Sequence, residues 1–227
     1  CSKNSDPQDP EASKLYAYQG VVVGSSGYYT LIITTEGATA TLVFDNVTYN
    51  LAITKKLEPG KDIDSIILTD VSGKSGIQII YKFFNGSGAT PSIGKAQVVV
   101  PGHNTENTIS LIYDYRSTTQ LYNDDFFRMY EGTSTYTEGA DFDEETFNVT
   151  IDILAKKFQA ISRVTKSSDP LEVGHTETFN GTFSETETTA TFYEDDGTTV
   201  LTKVARDLSY DAAGPGWSTH AYLRRVN

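Results

Sequence analysis

Apolar and polar residues alternate along most of this chain. The clearest case is the stretch in which Phe147, Val149, Ile151 and Ile153 are separated by Asn148, Thr150 and Asp152. A period of two gives a strand one buried and one wetted face. A fainter copy lies earlier in the chain, where Tyr29, Leu31 and Ile33 play the same part. Each copy follows a Tyr-x-Gly, at Tyr18-Gln19-Gly20 and at Tyr130-Glu131-Gly132, a shift of 112 positions. Gly86 and Gly197 repeat at nearly the same shift, each after an aromatic strand. The agreement predicts two successive units of similar plan.

Strand patterns recur every 8 to 12 residues, bounded by turn residues. In the first unit they cover 15–23, 28–35, 38–44, 48–54, 65–69, 77–84, 95–100 and 108–113; in the second, 129–136, 146–154, 158–165, 176–183, 188–194, 198–205 and 217–226. Between them lie Asp45-Asn46, Ser72-Gly73, Asn85-Gly86, Gly139, Asp195-Asp196-Gly197 and Gly214-Pro215-Gly216, residue types that accept the backbone angles of tight turns. Residues 1–14 are polar, contain Pro7 and Pro10 and lack a period, so they are expected to form a disordered tether. Residues 117–127 break the spacing and hold Asn123-Asp124-Asp125, which marks a junction in which a short helix would fit. The expected organisation is therefore a tether over 1–14, a β-unit over 15–116, a junction over 117–127 and a second β-unit over 128–227.

An amphipathic strand must bury its apolar face. No long helical pattern is available to cover it, so the partner is another sheet or the same sheet curled on itself. Seven or eight strands per unit suffice to close a small antiparallel barrel, which hides the sheet edges and can hold one small ligand. The expected class is all-β, with two such barrels in succession; a β-sandwich is the alternative. The 14 Tyr and 11 Phe, against one Trp and one Met, suit such pleated surfaces. The balance of 18 Lys and Arg against 30 Asp and Glu, a net charge of −12, repels polyphosphates and excludes nucleic acid as a favoured partner.

The single cysteine, Cys1, has no disulfide partner and belongs to no zinc spacing. Followed by the polar 2–10 segment, it resembles the mature start of bacterial lipoproteins. That resemblance implies a lipid on Cys1, attachment of a folded body to a membrane, and a place in the cell envelope facing the periplasm or the exterior. In the second unit, Tyr130-x-Gly132-Thr133, the strand Thr150 to Ile153 and Phe179-Asn180-Gly181-Thr182-Phe183 resemble the lipocalin-like barrels of bacterial surface lipoproteins. This implies a cup-shaped barrel able to hold a small ligand.

Candidate chemistry is sparse. His103, His175 and His220 are far apart in sequence with no metal-ligand spacing, and there is no Gly-x-Ser-x-Gly. No cofactor motif is present. Tyrosines offer flat faces with a polar tip suited to a sugar or a protein, so Tyr136, Tyr193 and Tyr222 are candidate ligand-binding residues, together with His220, which shares a strand face with Tyr222. Among the acidic clusters, a loop at Asp141, Asp143 and Glu145 could supply oxygens to a hard cation such as calcium; solvated turn acids are the simpler reading. The Asn-x-Ser/Thr sites at Asn46, Asn85, Asn148 and Asn180 read as strand and turn composition. These features favour a non-enzymatic, lipid-anchored protein that binds a small hydrophobic ligand, a glycan or a protein partner. The alternatives are a hydrolase of envelope or dietary polymers with paired carboxylates drawn from Asp141, Asp143 or Asp152, and a structural part of a membrane complex.

Overall fold

The computed structural model describes residues 14–34, 36–53, 63–84, 92–94, 96–103, 110–115 and 127–226. The expected tether up to residue 13, the lipidation site Cys1, Gly86 and most of the expected junction lie outside the described residues.

The chain is all-β and forms two nearly closed, barrel-shaped antiparallel sheets. The first contains β1 (Lys14–Val22), β2 (Tyr28–Thr34), β3 (Gly37–Phe44), β4 (Val47–Ile53), β5 (Ile63–Asp70), β6 (Gln78–Phe84), β7 (Ser92–Ile93), β8 (Gln97–Val99) and β9 (Ser110–Tyr115). It is a meander from β1 to β7, with β8 also pairing β6 and β9 returning to pair β1. The second contains β10 (Phe127–Glu138), β11 (Asp141–Asp152), β12 (Lys157–Ser167), β13 (Thr176–Glu185), β14 (Thr189–Tyr193), β15 (Val200–Ala205), β16 (Tyr210–Gly214) and β17 (Trp217–Arg225). Here too the last strand returns to pair the first, in the order β15-β14-β13-β12-β11-β10-β17-β16.

The internal echo has a structural counterpart. Gly20 pairs with Tyr29 on β2 and Ile112 on β9; Gly132 pairs with Phe147 on β11 and Leu223 on β17. Tyr18 and Tyr130 are each buried in the core of their own barrel. Gly132 is required by its surroundings, because a Cβ there would lie 1.9 Å from the carbonyl oxygen of Tyr222. Gly181 has the same constraint against the carbonyl of Tyr193. Both mark points where neighbouring backbones approach too closely for any side chain.

Several boundaries differ from the sequence pattern. The acidic stretch expected to be a loop, with Asp141, Asp143 and Glu145, is strand β11, paired with β10 from Glu138↔Asp141 inward. Strand β16, of which the sequence pattern places only Gly214, in a turn, pairs residue for residue with β17. Strand β1 starts at Lys14, one residue before the expected first strand, and Phe127 belongs to β10 rather than to the junction.

The two interiors are unlike. The first is filled by Tyr18, Tyr29, Tyr81, Phe83 and a set of Leu, Ile and Val side chains that are almost wholly buried. Burial without a hydrogen-bond partner raises the Tyr81 hydroxyl well above the ordinary tyrosine range. The second barrel is packed at one end only. Phe158 meets Phe192 edge-on at 4.9 Å, and Phe183 lies 6.2 Å from Phe192, beside Ile151, Ala190 and Tyr130.

The barrels touch through a third apolar cluster. Strand β1 sends Tyr18 and Val22 into its own core and Ala17 and Val21, joined by Val23 just past its end, against Phe127, Met129 and Ile161 of the second barrel. It is buried on both faces. Beside this contact Asn148, 1 % exposed, accepts a hydrogen bond from the Gly24 N–H (2.8 Å) and donates one to the Ser25 carbonyl (3.2 Å). The Asn-x-Thr sequence at Asn148 is thus a structural bridge, buried between the two sheets.

Candidate functional site

The second barrel keeps a cavity of about 500 Å³ above its packed end. Inward positions of every strand line it. From β11 come Asp143, Glu145, Phe147 and Val149, from β10 Ser134 and Tyr136, and from β17 Thr219, Ala221 and Leu223. The remaining wall is Phe158, Ala160, Phe179, Phe192, Leu201, Thr202, Val204, Leu208 and Tyr210. The strict alternation of β11 produces this wall: its outward residues include Asn148 and Thr150, while its inward ones descend from carboxylates at the mouth to Phe147, Val149 and Ile151 below. Phe147 and Phe179 stack nearly parallel, 6.4 Å apart at 12°. An apolar well thus opens beneath a polar rim.

The rim is acidic. Ser134 is paired across the ladder with Glu145, and its hydroxyl donates to that carboxylate at 3.2 Å. Tyr136 is paired with Asp143 and donates its hydroxyl to Glu138 at 2.6 Å. Burial holds the Glu145 carboxyl above its ordinary value, and the negative charges of Glu177 and Asp143 add to the effect; the Ser134 hydrogen bond and His175 act against it. The Tyr136 hydroxyl is also raised, first by its bond to Glu138 and then by burial and the charges of Glu138, Asp143 and Asp141. No Lys, Arg or His is among the residues lining the cavity.

Exposed apolar side chains surround the same end. Leu171, 90 % exposed, and Val173 stand on the β12–β13 hairpin, Phe142 near the tip of β10–β11, Val200 and Leu201 at the start of β15, and Trp217 at the start of β17. The indole of Trp217 rests over Gly214, where a Cβ would lie 2.4 Å from its ring nitrogen.

Of the four ligand-binding candidates, Tyr136 lines the cavity and the other three do not. Tyr193 lies outside the lining, its hydroxyl 3.3 Å from Ser184 Oγ. His220 and Tyr222 point outward from β17, the former bonded to Asp211 and the latter 65 % exposed. The face of β17 that lines the cavity is Thr219, Ala221 and Leu223. Of the cation candidates, Asp143 and Glu145 line the cavity and Asp141 stands beyond them, 3.4 Å from the Ser168 hydroxyl. Among the described residues no group of three or more His, Cys, Asp or Glu is arranged to hold a metal ion. Asp152 is at the opposite end, where it accepts from the Ala155 N–H at 2.8 Å and holds the β11–β12 turn. Phe147, Phe158, Phe179 and Phe192 were legible as strand residues, but not as the wall of a hollow.

Compared with known proteins, the chain matches no family model, no curated protein and no solved structure. Among the described residues no helix is long and apolar enough to cross a membrane.

Proposed function

We propose that this is a non-enzymatic binding protein of the cell envelope, which holds a small, largely apolar ligand inside its second barrel. The observation that carries the reading is the cavity of about 500 Å³, well inside the range of roughly 300 to 1,000 Å³ usual for ligand pockets. Its lower wall is aromatic and aliphatic, and its few polar groups gather at the mouth. The filled first barrel then serves as a platform, fixed to the second by the β1 contact and by Asn148. Anchoring through a lipid on Cys1 belongs to the same proposal, motivated by the polar segment that follows it. Expressed behind a lipoprotein signal, the protein should partition with membranes, and Cys1→Ser should release it.

The test of the cavity is calorimetric titration with 1-decanol. Saturable binding of one molecule, weakened at least about tenfold in Ala221→Phe, which places a ring in the cavity, supports the reading. Absence of saturable binding sinks it.

Hydrolysis has one observation in its favour, two carboxylates in a pocket with the Glu145 pKa raised. Asp143 and Glu145, however, are two residues apart on one strand, about 7 Å along the same wall. Acid and nucleophile must flank a scissile glycosidic bond, and one wall does not provide that. Binding is the better account.

A further inference from the structure

We infer that the ligand of the second barrel is a cationic amphiphile, an apolar chain or ring system carrying an ammonium-type head group, with the head held at the mouth by Glu145 and Asp143. The inference rests on the cavity reading above and adds the chemical class of the occupant.

The lining is asymmetric, apolar below and acidic at the mouth. The apolar part of a ligand is satisfied by the stacked Phe147 and Phe179 and by Val149, Phe158 and Phe192 below them. A head group left at the mouth meets Asp143 and Glu145, opposite Tyr136 and Ser134. Glu138 and Asp141 pair at the outer end of the same two strands, and Glu177 stands close enough to Glu145 to repel its charge. Basic side chains at this end already face carboxylates of the chain: Lys166 lies 2.8 Å from Glu144, and His175 lies 3.7 Å from Glu172 and 3.9 Å from Glu177. A carboxylate or phosphate head would therefore enter a field of its own sign, with no basic group in the lining to receive it. An ammonium would replace lost hydration with carboxylate oxygens, and could rest against the Phe147 face as a cation against a π-system. The chain's net charge of −12 draws a cation in the same direction.

The crowding of acids around Glu145 gives a second reason. Burial and the neighbouring charges of Asp143 and Glu177 raise its pKa, opposed by Ser134 and His175. A bound cation relieves that repulsion, so binding and deprotonation of Glu145 are linked and favour each other.

The experiment titrates the full chain with decylamine, 1-decanol and decanoate, three probes with the same alkyl chain, near neutral pH and at low salt. The expected order is decylamine first, decanol about tenfold weaker and decanoate weaker still. In the double variant Asp143→Asn with Glu145→Gln, the ratio of amine to alcohol affinity should fall toward one. Both substitutions keep shape, and circular dichroism with thermal unfolding reports whether the fold persists. Equal binding of all three, or a preference for decanoate, overturns the inference while leaving the cavity reading in place. A full amine preference that survives in a folded double variant overturns the role given to these carboxylates. Failure of all three to bind removes the cavity reading and this inference with it.

Discussion

Asn148 offers the sharpest test of how the two barrels are joined. It sits on the outward face of β11, 1 % exposed, and its amide satisfies both the Gly24 N–H and the Ser25 carbonyl. The rest of that turn is closed internally, through Ser25 N–H to Val22, Val22 N–H to Gly27, and Gly27 N–H to Ser25 Oγ. Asn148→Ala removes two hydrogen bonds, each worth a net of about 1 kcal/mol, and leaves a half-buried carbonyl and amide. Gly24 is exposed enough for water to reach it, so the total loss should be about 2 kcal/mol rather than the full desolvation cost of both groups. Asn148→Asp keeps the acceptor for Gly24 but turns a second oxygen toward the Ser25 carbonyl and buries a charge; its loss should be about 3 kcal/mol or more. The control is Asn180→Ala, whose side chain accepts only from Gln159 on the exposed surface, with a change under about 0.5 kcal/mol. Urea unfolding followed both by circular dichroism, which sees both sheets, and by the fluorescence of Trp217, in the second barrel alone, reads the effect. The two midpoints should coincide in the wild type and separate in Asn148→Ala. An Asn148→Ala variant within about 0.5 kcal/mol of wild type, with midpoints still together, would refute the bridging role.

Further expectations follow from single contacts. Gly132→Ala, which drives a Cβ to 1.9 Å from the Tyr222 carbonyl, should cost about 3 kcal/mol in chemical denaturation, against about 1 kcal/mol for Gly139→Ala, whose methyl meets nothing within 4 Å and whose cost is that of the left-handed backbone at φ +60. Because the folded pKa of Glu145 is raised above its ordinary 4.5, its protonated form is favoured by folding. Its stabilising contribution is present below 4.5 and lost as pH rises through the folded value. Thermal unfolding of Glu145→Gln should therefore gain on wild type as pH rises through that window, and a pH-independent difference would count against it. Asp196 behaves oppositely: hydrogen bonds from the Thr199 hydroxyl and from the Thr199 and Thr198 N–H groups lower its carboxyl to about 2. Its contribution is present above the ordinary 3.8 and lost as pH falls toward about 2, which a chemical-shift titration of that carboxyl would show directly. Phe158→Ala, which removes a ring from the floor and its 4.9 Å contact with Phe192, should cost about 3 to 5 kcal/mol by urea unfolding.

The fold was legible because a period of two survives wherever a strand has one buried face. It failed where that condition fails. Residues 138–142 are exposed at the mouth of the second barrel and 143–145 only half-buried, so Asp141, Asp143 and Glu145 carry no apolar alternation and are held in β11 by the ladder to β10. Strand β16 is short and at the sheet edge, and Asp211, Ala212 and Ala213 give no contrast between its faces. On β17 the large side chain of Tyr222 points outward while the small Thr219 and Ala221 line the cavity, so size misled the choice of face. Tyr18 and Tyr130 illustrate the deeper limit. Both alternate identically and pair equivalently, yet one belongs to a filled interior and the other to the packed end of a barrel that is hollow above it. Whether a closed sheet is full depends on summed side-chain volume around all its strands, which no local pattern carries.

The central claim is that one interior is occupied by its own side chains and the other is left for a guest. Nuclear magnetic resonance of the isotopically labelled protein titrated with 1-decanol tests it residue by residue. Shifts should concentrate at Phe147, Val149, Phe158, Ala160, Phe179 and Ala221, around the cavity, while Leu31, Ile33, Leu68 and Ile79 in the first barrel stay in place. Shifts spread equally over both barrels, or confined to the first, would contradict the account.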